Sequence, residues 1–243
     1  SRAKEIMDAI VDPKIGAIIF ACGGEHSERL LPYLDPLKIR KHSKIIIGYS
    51  DISSILSYFV ETCHRVVYHG RMALDATSNT KKQTKMLREV LEGRLSKITL
   101  PSLKVLRPGK AEGILKGGCI SVLTKLLHGE YEPFYHHCIL FIEDIHESIH
   151  SLSLFFHSFE KAKKFNHLKG VLFGEMLDCG DNLELIFLIS QYFSRLNLPI
   201  GINLPSGHGK NDVFLPLGAH VLISLGSKRS YLKVLPKKTG EYL

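Results

Sequence analysis

The sequence predicts an α/β protein built from two domains, and three observations favour this fold class. Apolar runs of strand length alternate with helical patterns, first over Lys14–His69 and again over Cys138–Ile202. The stretch 74–110 between them is richer in Lys, Thr and Ser and contains Pro101 and Pro108, which is typical of a connection. The boundaries that we predict are 1–78 for an N-terminal α/β domain, 79–110 for a linker and 111–243 for a C-terminal α/β domain.

The N-terminal domain is predicted to contain a largely parallel sheet. Its strands are continuous apolar runs such as KIGAIIFA and KIIIG, which is how strands with both faces buried read. The helix after the second strand has Ile55, Leu56, Phe59 and Val60 on one face. The predicted order is a helix over Arg2–Ile10, a strand over Lys14–Ala21, a helical turn over Leu30–Leu34, a strand over Lys44–Gly48, a helix over Ile52–Cys63 and a strand over Arg65–His69.

The rest of the chain is predicted to begin with a helix and to end in a hairpin. An extended linker follows the first helix, and Gly117-Gly118 breaks the chain before the second. The predicted elements are helices over Lys81–Leu91, Ser121–His128, Ser148–Lys164 and Leu183–Leu196, strands over Cys138–Ile142 and Gly170–Gly174, a segment Leu198–Ile202 that leads into the last loop, and a hairpin of Val221–Ser224 and Tyr231–Val234.

Composition and charge argue against two classes of partner. The 243 residues include 32 basic and 24 acidic side chains, so the net charge is +8. The lysines are nevertheless dispersed and are not interleaved with aromatic residues, so we expect no nucleic-acid partner. No apolar run reaches the roughly 18 residues that a membrane helix needs, and we expect no membrane partner.

The cysteines and the N-terminal residues bear on the cellular compartment. The number of cysteines is odd and none forms a C-x-x-C pair, which argues against a disulfide framework and a zinc ribbon. Ser1–Glu5 contain no apolar signal core. We therefore predict a reduced, cytoplasmic protein. We also predict that it uses no cofactor. The five cysteines are Cys22, Cys63, Cys119, Cys138 and Cys179.

A serine between a buried strand and a helix is the first candidate for chemistry. In Gly48-Tyr49-Ser50-Asp51-Ile52, a sharp turn would present the Ser50 hydroxyl, and the free N–H groups of the helix N-terminus would face a developing oxyanion. The motif is incomplete, because Ile52 stands where a nucleophile elbow usually has its second glycine. The alternative interpretation is that Ser50 or Asp51 only caps the helix.

A serine nucleophile also needs a base and an acid that orients the base. His208 lies in the glycine-flanked Ser206-Gly207-His208-Gly209, where an exposed imidazole can serve as the base. Glu143 follows the apolar strand Cys138–Ile142, a suitable place for the acid. Each has a plain alternative, namely a polar loop histidine and a capping or surface carboxylate.

Five motifs, taken in order, resemble one family. The set resembles the LD-carboxypeptidase family of serine peptidases, which includes the microcin C immunity-type hydrolases, from about Arg2 to Val221. The resemblance implies two α/β domains with the active site between them, the first with a Rossmann-like parallel sheet, and a homodimer. The motifs are GGEHSERLLPYLD (23–35), KIIIGYSDIS (44–53), Gly117-Gly118, ILFIEDIHE (139–147) and GHGKNDVFLPLGAHV (207–221).

The resemblance also implies a catalytic site. Ser50 would be the nucleophile, Glu143 the acid and His208 the base, and the N–H groups of Gly24 and Asp51 would form the oxyanion hole. The implied reaction hydrolyses an amide bond between an L-centre and a D-amino acid, with a murein tetrapeptide that loses its terminal D-Ala as the substrate. Such a peptide carries a free carboxylate, and Arg71 is a candidate to bind it.

The sequence departs from the family pattern near the implied cleft. Cys22-Gly23-Gly24-Glu25-His26 replaces RGGYG, His69-Gly70-Arg71-Met72 replaces HGPM, and Gly117-Gly118-Cys119 replaces GGN. These departures bear on the substrate more than on the triad. The resemblance also implies a strand and a helix ahead of Arg2, and without this first segment we expect an exposed edge on the N-terminal sheet.

One competing motif suggests zinc. His146-Glu147-Ser148-Ile149-His150 matches H-E-x-x-H, which on a helix places two zinc ligands on one face, with Glu160 or Glu175 as a candidate third ligand. The segment follows directly on a strand that already fits the ILFIED motif, so we predict no metal site. We interpret His69 and His220 as structural residues or as supports of the site.

Two further functions stay open alongside a zinc peptidase. A microcin C immunity-type amidase that acts on acyl-aminoacyl nucleotides is favoured by the G-G-x-x-S spacing of Gly23–Ser27. A binding protein of the same fold without catalytic activity is the other alternative.

Overall fold

The computed structural model of the protein describes residues 1–78, 80–209 and 213–236, and it confirms the predicted α/β class. Short 3-10 segments at Ser27–Tyr33, Ser50–Ile52 and Ala73–Ser78 join several elements. The strands are β1 (Ala17–Ile19), β2 (Ile45–Gly48), β3 (Val67–His69), β4 (Lys97–Thr99), β5 (Lys104–Arg107), β6 (Gly109–Cys119), β7 (Ile139–Ile145), β8 (Gly170–Leu177), β9 (Ile200–Ile202), β10 (Leu215–Leu217), β11 (His220–Leu225) and β12 (Tyr231–Val234). The helices are α1 (Arg2–Val11), α2 (Pro36–Lys41), α3 (Ser53–Glu61), α4 (Lys81–Leu91), α5 (Ile120–Thr124), α6 (Ile149–Lys161) and α7 (Asn182–Phe193).

The smaller sheet has the order β1-β2-β3-β10. β1, β2 and β3 are parallel, as predicted, whereas β10 is antiparallel to β3. Gly48 at the end of β2 pairs with His69 at the end of β3. Because the carboxyl ends of parallel strands meet at one edge, the segment that follows β2 begins beside His69.

The larger sheet has the order β4-β12-β11-β6-β7-β8-β9-β5. The four central strands β6, β7, β8 and β9 are parallel neighbours, and the outer strands are antiparallel. Strand β7 is buried over Ile139–Asp144, and its register with β8 shifts between Ile142 and Asp144. A bulge at this point changes the direction of the side chains that follow, and Glu143 lies within it.

The range predicted as a linker is partly built into the larger sheet. Within 79–110, α4 matches the predicted helix, but β4 and β5 form the two edge strands of that sheet. Lys97 and Lys104 start these strands, and polar edge strands of three or four residues lack the apolar signal of a buried strand.

The glycine pair does not break the chain where the sequence predicted. Gly117 and Gly118 are instead among the last residues of β6. A Cβ on Gly117 would lie 1.8 Å from the carbonyl oxygen of Phe141, and the φ of Gly117 is +135°. Only glycine lets β6 approach β7 this closely.

The last part of the chain crosses from one sheet to the other. β10 falls in the range predicted for the C-terminal domain, yet it pairs with β3 in the smaller sheet. Pro216 is tolerated there because β10 is an edge strand. The chain then returns through β11 to the larger sheet, and buried apolar residues of both sheets form one continuous core. None of the helices in the described ranges is long and apolar enough to cross a bilayer.

Candidate active site

Ser50 lies at a sharp turn between β2 and α3. Its φ of 61° is in the left-handed region, which is uncommon for a residue other than glycine and occurs at strained functional positions. A Cβ on Gly48 would lie 2.7 Å from the Ile52 side chain, so glycine is required before the turn. Neither Ser50 nor Asp51 caps a helix through its side chain, which removes the capping interpretation.

The glycine loop after β1 packs against this turn. A Cβ on Gly23 would lie 2.9 Å from Ser50 Oγ, and one on Gly24 would lie 3.9 Å from Asp51 Oδ2. The Ser27 N–H donates to the buried Asp51 carboxylate at 3.2 Å, and the Ser27 hydroxyl donates to the Asp51 carbonyl. The proposed oxyanion-hole residues Gly24 and Asp51 are therefore held side by side next to Ser50.

Glu143 and His208 form a direct hydrogen bond. His208 Nδ1 donates to Glu143 Oε2 at 2.8 Å, and the Glu143 side chain is fully buried. A Cβ on Gly207, whose φ is +138°, would lie 2.9 Å from Glu143 Oε2. The Gly209 N–H donates to Glu175 Oε2 at 2.9 Å. Two carboxylates thus fix the loop of His208, of which residues 210–212 lie outside the described ranges.

The electrostatics of the pair suit an ionised acid and a basic imidazole. Burial by itself would raise the pKa of Glu143, but the hydrogen bonds from His208 and His69 outweigh it and lower that pKa below its usual 4.5. Burial by itself would lower the pKa of His208, but the hydrogen bond and charge of Glu143 outweigh it and raise that pKa above 6.5. The carboxylate therefore stabilises the imidazolium form of His208.

Tyr49 connects the turn of Ser50 to the histidine. Its ring lies 4.9 Å from the His208 ring and 5.9 Å from the His69 ring, both in edge contacts. Burial, followed by the charge and hydrogen bond of Asp75, raises the pKa of Tyr49, so the phenol stays neutral. The structure thus brings Ser50, Glu143 and His208 to one region, with Tyr49 bridging the two halves.

Two buried polar residues at this site were not identified as contributors from the sequence. Asp144 is 2% exposed and accepts the N–H groups of Ser121 at 2.8 Å and of Ile145 at 2.9 Å. Burial raises the pKa of Asp144. Ser206 is also buried and contacts His69 Nδ1 at 3.2 Å. The motif ILFIED contains Asp144, but its placement depends on the bulge in β7, which the sequence does not reveal.

Arg71 lies near the site with part of its guanidinium engaged. Its Nη2 donates to the carbonyl of Asp75 at 2.6 Å, and the side chain is half-buried. Its charge also acts on Tyr49. Arg71 as a contact for a substrate carboxylate stays a prediction.

The H-E-x-x-H motif does not form a helical zinc site. His146 has a φ of 57° and precedes α6, whose N-cap is Ser148, so His146 and His150 do not share one helix. His146 Nδ1 lies 3.4 Å from Asp178 at the surface. Within the described ranges, no group of three His, Cys, Asp or Glu side chains could hold a metal ion.

Two cavities differ in their relation to this site. One of about 630 Å³ is lined by Tyr68, Lys116, His220 and neighbours from both sheets, and its lining includes no member of the Ser50–Glu143–His208 set. Another of about 380 Å³ is bordered by Glu175 and lies beside the loop of His208. The second cavity is therefore the one that adjoins the candidate catalytic residues.

Comparisons with known proteins relate both halves of the chain to one family. The LD-carboxypeptidase N-terminal domain matches residues 1–70 and the C-terminal domain matches 112–223. A probable murein peptide carboxypeptidase of Bacillus subtilis is 28% identical over 96% of this chain and 76% of its own length. The microcin C7 self-immunity protein MccF of Escherichia coli is 26% identical over 93% of this chain and 76% of its own length.

Solved structures share the fold. The muramoyltetrapeptide carboxypeptidase of Oxalobacter formigenes has a TM-score of 0.85 and 23% identity, over 97% of this chain and 84% of that one. MccF in complex with adenosine monophosphate has a TM-score of 0.87 and 22% identity, over 97% and 80%. With both domain families matched along the chain, this protein belongs to the LD-carboxypeptidase family of peptidases.

Proposed function

We propose that this protein is a serine-type LD-carboxypeptidase that removes the terminal D-Ala from a murein tetrapeptide during cell-wall recycling. The observation that carries the proposal is the 2.8 Å hydrogen bond between His208 Nδ1 and the buried Glu143, next to the strained turn of Ser50. A histidine hydrogen-bonded to a buried orienting acid, beside a candidate nucleophile, supports a serine-type mechanism.

The first half of the reaction forms an acyl-enzyme. Ser50 Oγ attacks the carbonyl carbon of the scissile amide while His208 Nε2 takes the hydroxyl proton. The N–H groups of Gly24 and Asp51 stabilise the oxyanion of the tetrahedral intermediate. His208 then gives its proton to the amine of D-Ala, the C–N bond breaks, and Ser50 is left as an ester.

The second half regenerates the enzyme. A water molecule attacks the ester carbonyl while His208 takes its proton, and the proton returns to Ser50 as the C–O bond breaks. Glu143 keeps the imidazole in the tautomer with Nδ1 protonated and stabilises its charged form. Glu143 remains a carboxylate throughout.

The choice of substrate is supported by the relative named as a murein peptide carboxypeptidase. The terminal D-Ala of such a peptide carries a carboxylate, and the half-buried Arg71 is the cation proposed to bind it. The net charge of +8 is compatible with an anionic peptide.

The proposal is tested by release of D-Ala from L-Ala-D-Glu-meso-diaminopimelate-D-Ala. We expect release by the wild type, and a loss of about three orders of magnitude or more in Ser50→Ala. The matched control is Ser194→Ala, which removes an exposed hydroxyl at the end of α7 and should leave the rate unchanged. A peptide ending in L-Ala should not be cleaved, and a chelator should not inhibit. Full activity in folded Ser50→Ala would contradict the proposal.

A microcin immunity-type amidase is the second candidate. Ser27, in the G-G-x-x-S spacing, is buried and hydrogen-bonds to Asp51 beside the proposed nucleophile. MccF, a protein of the same fold, has been solved in complex with aspartyl sulfamoyl adenosine. The discriminating measurement is hydrolysis of an acyl-aspartyl adenylate beside the tetrapeptide. Cleavage of the adenylate alone would replace murein as the substrate class and keep the same triad.

The remaining expectations concern the assembly and the compartment. We propose a homodimer in the cytoplasm. Light scattering coupled to size exclusion measures the assembly, and fractionation of the native cells measures the compartment.

A further inference from the structure

His69 occupies the position opposite His208 on the same carboxylate. It ends β3, its side chain is fully buried, and its Nε2 lies 3.4 Å from Glu143 Oε1. His208 binds the other oxygen, Oε2, at 2.8 Å. The Glu143 carboxylate therefore has one imidazole on each oxygen.

The surroundings of His69 hold its ring in place. Phe141 packs against it at 4.9 Å between ring centroids and Tyr49 at 5.9 Å. Its Nδ1 lies 3.2 Å from the Ser206 hydroxyl, which also reaches the Val213 carbonyl at 3.3 Å. Both ring nitrogens thus have a polar partner inside the protein.

The proton on His69 can be assigned by chemistry. A bare Nε2 lone pair facing an ionised carboxylate would be repelled, so Nε2 carries a hydrogen and donates it to Oε1. When the ring is neutral, Nδ1 accepts the single hydroxyl proton of Ser206, which then cannot be donated to the Val213 carbonyl. Glu143 then receives two N–H donors, which a fully buried carboxylate needs to remain charged.

We infer that His69 is a positioning residue of the triad, which donates from Nε2 to Glu143 Oε1 and so holds Oε2 towards His208. This inference rests on the proposed function, because it assigns His69 a task within that active site. His69 acts through Glu143, whose Oε1 it faces while His208 binds Oε2. The sequence suggested no more than a structural or supporting histidine.

The inference predicts the direction in which the apparent pKa of the Glu143–His208 pair changes when His69 is replaced. A donor on Oε1 draws charge away from the carboxylate, so its removal makes Glu143 a stronger partner for the imidazolium of His208. Loss of the His69 hydrogen bond should therefore raise the apparent pKa of the Glu143–His208 pair. The other titratable groups around this pair are Asp144 beside it on β7, Cys119 on β6, Tyr49 at the turn, Asp75, Glu175 on β8 and Cys179.

Two amide substitutions separate the hydrogen bond from packing. In His69→Gln the side-chain amide can reach Oε1, whereas in His69→Asn it is one methylene shorter and can serve only Ser206. We expect the imidazole of His208, followed by nuclear magnetic resonance, to titrate about one unit higher in His69→Asn and within about 0.3 unit of wild type in His69→Gln. His157→Gln, an exposed histidine on α6, is the matched control and should not move the His208 titration.

Activity gives a second readout. The acid side of the pH profile of D-Ala release should move to higher pH in His69→Asn with KM retained, and His69→Gln should restore it. Equal titration of His208 in all three proteins would overturn the inference and leave His69 a packing residue. A wild type that releases no D-Ala would overturn the proposed function instead, because the resonance titration does not depend on the substrate.

The wild type and His208→Gln together decide the matter if the His69 variants do not fold. Two imidazole N–H protons are expected, a strongly downfield one on His208 Nδ1 with its 2.8 Å hydrogen bond and a less shifted one on His69 Nε2 at 3.4 Å. The first should vanish in His208→Gln while the second remains. A His69 Nε2 without a proton at neutral pH would overturn the inference.

Discussion

The conformation of Ser50 and the charge of Glu143 both depend on the residues packed around them. Ser50 is held in a left-handed conformation by a turn that leaves no room for a side chain on Gly48 or Gly23. Glu143 is buried without exposure, yet it stays ionised because two imidazoles face it. The chemistry of the site is therefore set by neighbours as much as by the three residues themselves.

The charge pair predicts how stability depends on pH. Because the folded pKa of His208 is raised, its contribution is fully present below 6.5 and is lost as the pH rises through the folded value. Because the folded pKa of Glu143 is lowered, its contribution is present above 4.5 and is lost as the pH falls through the folded value. The stability difference between wild type and His208→Gln should therefore be largest between pH 4.5 and 6.5.

Urea unfolding at several pH values measures this difference. His157→Gln, an exposed histidine on α6, provides the matched control and should give a flat difference. A wild-type advantage over His208→Gln that grows steadily above pH 6.5 would contradict the assignment.

Among the elements, β6 depends most sharply on one glycine. In Gly117→Ala the new Cβ would meet the Phe141 carbonyl at 1.8 Å, in a backbone region that favours glycine. We expect this substitution to lower the free energy of unfolding by more than about 3 kcal/mol, or to prevent folding. Gly16→Ala, which meets no atom within 4 Å, should stay within about 0.5 kcal/mol of wild type. Urea midpoints compare the two, and equal midpoints would show that β6 can move away from β7.

The elements also show what sequence reasoning can reach. Buried strands were predicted from continuous apolar runs, and amphipathic helices from the helical spacing of their apolar residues. β10 was not, because LPL contains a proline and its partner β3 is distant in sequence. α2 was missed although Asp35-Pro36 is a cap followed by a first-turn proline, a signal that could have found it.

The candidate site shows the same contrast between local motifs and contacts between distant segments. Ser50, Glu143 and His208 are proposed from motifs, because each motif is contiguous in the chain. The contacts of Tyr49 with His208 and of His69 with Glu143 join segments from different sheets. No local pattern encodes such a meeting, so the partners of the triad became visible only in the fold.

At the scale of the whole molecule, the two sheets share one core and one crossing segment. We expect them to unfold together, since β10 belongs to one sheet and the adjoining β11 to the other. The chain has no tryptophan, so Phe20→Trp near the smaller sheet and Phe155→Trp on α6 would each give a single local reporter. Their thermal transitions should coincide with that of the far-ultraviolet circular dichroism, and separate midpoints would mean that the two units melt independently.

The crossing segment between β9 and β10 also sets the order in which the site is completed during synthesis. A ribosome delivers the chain from its N-terminus, so Ser50 emerges first, Glu143 later and His208 after both. The strand that ties the smaller sheet to the larger one follows His208 by only a few residues. A nascent chain therefore holds its proposed nucleophile and acid without a base, and hydrolysis becomes available only after His208 and β10 have emerged.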